Sequence, residues 1–227
     1  ACEWVLRAVA GGRVMEVEER ERPPLPSPVP GPVDEAAPAD ELPTREEADA
    51  LIRASSPRAP TGVRNRALVA VMYRAGLRPG EALALRPRDV DLERGRVRVP
   101  PRKGGRPRVT GLDRGTRELI AAWMRLRPAR GAGPDAPLFC TLVGAPMKAA
   151  YVRELLPRLA RRAGVRKRIH PLALRYAHAA ELAEEGMPAD LIDHHLGIAG
   201  SPTTRRYRRA RPPEEAAEAV AGRDWSP

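Results

Sequence analysis

Four side chains stand out for the chemistry they could do together: Arg78, Lys103, Arg175 and Tyr207. A phenol hydroxyl can attack a phosphodiester if the charge that builds on the non-bridging oxygens is offset. Guanidinium groups suit that second task, because they stay charged and bind phosphate through two parallel N–H donors. Arg78 follows Gly76-Leu77 at a turn into a helix, where backbone amides also face an anion. Arg175 closes the run His170-Pro171-Leu172-Ala173-Leu174-Arg175, read as the first turn of another helix. Taken singly, each arginine is more often a plain surface charge, since the chain has 37 of them. Tyr207 could equally be a half-buried helix aromatic, and Lys103 a plain turn lysine. The chain has only three lysines, however, at 103, 148 and 167.

The elements that must position these residues begin at Thr44. Thr44-Arg45-Glu46-Glu47 is a capping box, and Ala48, Leu51 and Ile52 continue it as an apolar stripe. A second helix is expected over about 63–75, with Leu68, Val71, Met72 and Ala75 in phase and Gly76 ending it. A short third helix runs from Pro79 to Leu85. Strand signals follow at 90–92, 96–99 and 106–109, with Lys103-Gly104-Gly105 in the last turn. Further helices are expected near 113–127, 147–163, 172–185, 188–196, 202–210 and 213–221. The pattern is α+β and mostly α-helical, with helices around a small antiparallel β-sheet.

Charge is unevenly placed. Residues 1–43 hold four Arg against nine Asp and Glu, a net of −5; the whole chain is +11, so residues 44–227 carry +16. A field of that size attracts polyanions, although a solvated arginine-rich surface accounts for the composition alone equally well. Eight prolines between Pro23 and Pro43 read as an extended acidic linker. Two cysteines, Cys2 and Cys140, build neither a disulfide framework nor a metal cluster. No apolar run is long enough for a transmembrane helix and no secretory leader is seen, so a cytoplasmic protein is expected, with no membrane partner.

The segment from Tyr73 through Arg78-Pro79-Gly80-Glu81 to Leu85 resembles the first signature of the tyrosine recombinase (phage integrase) family. A hairpin lysine, a Leu-Arg box on a helix, a Leu-Gly turn and Thr203-Thr204-Arg205-Arg206-Tyr207 follow in that family's order. The resemblance covers about residues 43–210. It implies a catalytic domain over 44–210, preceded by an N-terminal remnant and linker (1–43) and followed by a C-terminal helix or tail (211–227). It implies site-specific cutting and rejoining of double-stranded DNA through a 3′-phosphotyrosyl intermediate, with no metal and no small-molecule cofactor. Arg78 and Arg175 would clamp the scissile phosphate, Lys103 would protonate the departing 5′ oxygen, and Tyr207 would be the nucleophile. Arg102, Arg106, Arg205 and Arg206 would contact DNA. Glu81 would brace Arg78 or the helix start, and Asp89 would be structural. Members act as tetramers on DNA, the C-terminal helix docking on a neighbour; a helix that covers its own domain is the alternative.

Two departures stand against that pattern. Leu172 occupies the position three residues before the second arginine, and Ile198 the position after Leu-Gly, where the family usually has histidine or, at the second, tryptophan. On a helix turning about 100° per residue, His170 lies about 140° from Arg175 and cannot replace a residue at 172. His178, His194 and His195 read as buried or capping. Tyr176 stands where a second histidine is often found. Loss of a base acting on a phenol predicts cleavage slowed by roughly 10²–10⁴. A decayed recombinase that only binds DNA is therefore the rival reading. Members also carry a helical domain ahead of the catalytic one, and with only 43 residues in that place the chain is expected to be a fragment or remnant.

Overall fold

The computed structural model describes residues 42–101, 107–128, 132–133, 135–197, 218 and 220–223. Seven α-helices and a three-stranded antiparallel sheet lie among them. The chain begins as its capping box dictates: Thr44 caps α1 (Arg45–Arg53), its hydroxyl accepting from the Glu47 N–H while Glu47 accepts from the Thr44 N–H at 2.8 Å. Ala48, Leu51 and Ile52 are the buried face.

α2 (Pro60–Arg74) starts three residues before the expected position, because Pro60 supplies a preset φ at the first helical position. It is buried on nearly all sides, packed among α1, α3 (Pro79–Ala84), α4 (Arg114–Leu126) and α6 (Pro171–Glu184). A helix buried around most of its circumference belongs at the centre of a fold. Trp123, Tyr73 and Phe139, all fully buried, fill the largest volumes of that core. The Trp123 indole donates to the Leu138 carbonyl at 2.7 Å.

β1 (Val90–Asp91), β2 (Arg96–Val99) and β3 (Arg108–Gly111) lie in sequence order, with Val97 opposite Thr110 and Val99 opposite Arg108. β3 begins two residues later than expected: Pro107 has no N–H for the ladder, so pairing starts after it. Its inward residues are Arg108 and Thr110, both buried. α5 (Ala149–Ala163) and α7 (Ala189–Leu196) complete the described helices, each ended by a left-handed glycine, Gly164 and Gly197. The expected helix over 202–210 and most of the one over 213–221 lie outside the described residues. At the chain's end, Val220 is fully buried against Leu182, Ile192 and Leu196. Arg223 reaches Glu185 at 2.5 Å and Glu218 meets Arg96 at 2.7 Å. The described end of the chain therefore covers its own domain. Among the described residues, no helix is long and apolar enough to cross a membrane.

Candidate active site at the Arg78–Arg175 junction

Arg78 is the N-cap of α3 and its side chain is 40% exposed. The anion expected at its amide is supplied from within: Glu81 accepts the Arg78 N–H at 2.8 Å and the guanidinium at 3.2 Å. The expected brace is thus present, and Glu81 does more. Its two oxygens also take both Nη groups of Arg108, at 2.8 and 2.9 Å, deep in the fold. Burial opposes the Glu81 charge, but the bonds and charge of Arg108, followed by those of Arg78, hold its pKa down to about 2. Arg108 in turn donates Nε–H to the His195 carbonyl at 3.0 Å, so one bridge runs from the first arginine to the end of α7.

Arg175 sits in the second turn of α6, not the first, because the helix already starts at Pro171. It is 2% exposed and donates to two carbonyls, Gly76 O and Leu196 O. The first belongs to the turn that leads into Arg78, and the second to the last residue of α7. Gly76 can serve there because its φ is +63° and because a Cβ would come within 2.4 Å of Leu196 Cδ2. Gly197 follows the same logic: φ is +61°, and a Cβ would lie 2.9 Å from Arg108 Cδ. Burial, then the charges of Arg78 and Arg108, push the Arg175 pKa down to about 9, which leaves it a cation at neutral pH. Three guanidiniums and one carboxylate therefore meet at this junction. The excess is positive.

Leu172, at the position of the expected histidine, is half-buried in the first turn of α6. No neighbouring imidazole replaces it from His170, which is spent as the cap of α6, its Nδ1 accepting the Ala173 N–H at 3.2 Å. His178 and His195 are fully buried, as a core reading requires, and His194 is half-buried. Tyr176 is half-buried beside Arg175, and its hydroxyl makes no hydrogen bond to another described residue. Asp89 caps its own turn, accepting the Arg86 N–H at 2.8 Å. Lys103, Arg102, Arg106, Ile198, Arg205, Arg206 and Tyr207 lie outside the described residues. Of the four residues expected to carry the chemistry, Arg78 and Arg175 are brought to one junction. Sequence reasoning missed Arg108: nothing local marks a strand arginine as the partner of a glutamate 27 residues earlier.

A helical domain that gathers arginines from two distant turns against a small antiparallel sheet is the class that fold and site define. The chain belongs to the phage integrase family, whose model matches residues 43–214. Tyrosine recombinase XerC of Chromohalobacter salexigens is 36% identical over 151 residues, covering 66% of this chain and 49% of that protein. Tyrosine recombinase XerD of Ralstonia nicotianae is 36% identical over 170 residues, covering 71% and 53%. Among solved structures, XerA recombinase superposes with a TM-score of 0.64 at 25% identity over 78% of this chain and 62% of that one. XerH site-specific recombinase bound to its difH substrate in a pre-cleavage complex gives 0.61 at 26% identity, over 72% and 49%. The chain spans about half the length of the curated relatives it matches.

Proposed function

We propose that this chain is the catalytic part of a site-specific DNA recombinase, with residues 44–210 as the catalytic domain and 211–227 as its C-terminal element. The observation that carries this reading is the junction itself. Arg78 is half-exposed, Arg175 is a buried cation, and Glu81 is already committed to Arg78 and Arg108, so the remaining positive charge calls for an anion from outside. A phosphodiester fits: planar donors meet non-bridging oxygens, and charge that grows in the transition state is met by groups already in place. Tyr207 gives its phenol proton to solvent and attacks phosphorus, the P–O5′ bond breaks, Lys103 gives its proton to the departing 5′ oxygen, and a 3′-phosphotyrosyl link remains. Attack by the freed 5′ hydroxyl reverses the step and restores the phenol. Arg102, Arg106, Arg205 and Arg206 hold neighbouring phosphates. Double-stranded DNA is the partner, on which four copies assemble, and the cytoplasm is the compartment. The relative bound to its DNA substrate supports the choice of DNA.

One observation favours a second reading, a DNA-binding protein without cleavage. Leu172 puts an alkyl group where a proton acceptor is wanted, while His170, His178 and His195 are committed elsewhere. A nicked duplex carrying the cognate site separates the two, because the nick lets the fragment with the freed 5′ hydroxyl diffuse away and traps the adduct. A covalent band on a denaturing gel that vanishes in Tyr207→Phe supports the recombinase. DNA bound without any band supports the second reading.

A further inference from the structure

Beside the Arg175 cradle lies a buried chain of polar groups that this chemistry does not use. His178, one turn beyond Arg175 on α6, places Nε2 at 3.0 Å from Nε2 of His195 on α7. Thr110 Oγ1 on β3 lies 2.7 Å from His195 Nδ1, 3.1 Å from its Nε2, and 3.3 Å from the Ala75 carbonyl. All three side chains are fully buried. Counting protons gives the chain a direction. A carbonyl only accepts, so the single Thr110 hydrogen goes to Ala75 O. Its oxygen is then the acceptor for a proton on His195 Nδ1. A neutral imidazole has one N–H, so His195 Nε2 accepts, and His178 donates from its own Nε2.

Both rings are neutral. Burial, then His195, Arg223 and Arg175, keep His178 from protonating; burial, then Arg108, Arg175, Arg223 and His194, do the same for His195. Of the nearby carboxylates, Glu81 is held by Arg108 and Glu181 by Tyr73 and Arg223. Tyr73 of α2 meets His178 in an edge-to-face arrangement, with centroids 6.5 Å apart.

We propose that the His178–His195–Thr110 chain positions Arg175. Each carbonyl that Arg175 grips is next in sequence to a residue the chain holds: Gly76 follows Ala75, and Leu196 follows His195. The imidazole pair ties α6 to α7 alongside the Arg175–Leu196 bond, and Thr110 ties the Ala75 turn alongside the Arg175–Gly76 bond. Neither ring can touch a substrate, so the role is positioning. It rests on Arg175 being the phosphate ligand.

Nitrogen-15 NMR on the full chain tests this without any cognate DNA. At neutral pH, His195 should carry its proton on Nδ1 and His178 on Nε2. The Arg175 guanidinium hydrogens, identified as the signals lost in Arg175→Lys, should exchange slowly. Thr110→Val should speed that exchange about tenfold, roughly what one lost buried hydrogen bond corresponds to. Thr110→Ser should restore it; should Thr110→Val fail to fold, Thr110→Ala is read the same way. Unchanged Arg175 exchange in the variant, or a proton on His195 Nε2, overturns the proposal. Adding a mixed-sequence duplex to the wild type probes the underlying reading separately. If the Arg175 signals do not move with DNA, the clamp assignment fails, whereas the tautomers and the Thr110 response report on positioning alone.

Discussion

A carboxylate at position 81 answers two guanidiniums at once, and that decides what its loss does. Glu81→Gln leaves Arg108 buried and unpaired, and removing one partner of a buried pair costs about 3–5 kcal/mol. Urea unfolding should register the loss. Arg78→Ala should cost far less, because the Arg78 side chain is 40% exposed and its pairing with Glu81 is screened; its effect should fall on DNA cleavage. A variant pair that reversed this order would place Glu81 outside the scaffold. Leu172→His addresses the missing base directly: cleavage should rise by roughly 10²-fold if only the proton acceptor is lacking, and no rise in a trapping assay would mean the site fails for another reason. At this scale the sequence was legible where a motif was local. Arg78 and Arg175 stood out by their context, and a brace by Glu81, on Arg78 or on the helix start, was implied by the resemblance. Arg108 and Thr110 did not, since inward placement on β3 depends on Pro107 delaying the strand and on partners far along the chain.

Between α6 and α7 the fold is held by groups that tolerate no proton. The His195 pKa is pushed down to about 3 from an ordinary value of 6.5, first by burial. A base depressed by folding binds fewer protons in the native state than in the unfolded one. Stability from this source is therefore complete above pH 6.5 and falls as pH drops toward 3. At about 1.4 kcal/mol per pKa unit, the loss between pH 6.5 and 4 is about 3 kcal/mol. Glu81, lowered from 4.5 to about 2, contributes stability that is complete above pH 4.5 and is lost as pH falls toward 2. Urea midpoints should decline across the acid range, and His195→Gln should flatten the decline above pH 4.5; an equal slope in the variant would assign it to other groups. Gly197→Ala should also destabilise, by strain at φ +61° and by contact with Arg108, read as a lowered melting temperature. The helices were largely legible at this scale, from the Thr44 capping box to the terminating glycines. The core histidines were expected, but their pairing was not, because periodicity places a residue on a face without naming what it meets.

The molecule as a whole carries +11, nearly all of it as arginine, and α5 leaves Arg153, Arg158, Arg161 and Arg162 exposed. Affinity for duplex DNA should fall steeply with salt, by something like 10³-fold between low and physiological concentration if several phosphates are held. A fluorescence titration at stepped salt would read this, and a flat response would deny a phosphate-led interface. The fold class and the order of the signature boxes were legible in the sequence because each box is a short local pattern. The meeting of Arg78 with Arg175 needed the fold, since it depends on carbonyls of two separate turns.

The most direct measurement maps the trapped DNA adduct by peptide mass spectrometry in wild type and in Arg175→Ala. One DNA-linked peptide is expected, attached through Tyr207, whose yield collapses when Arg175 is removed. Attachment at another residue, or an undiminished yield in Arg175→Ala, would contradict it.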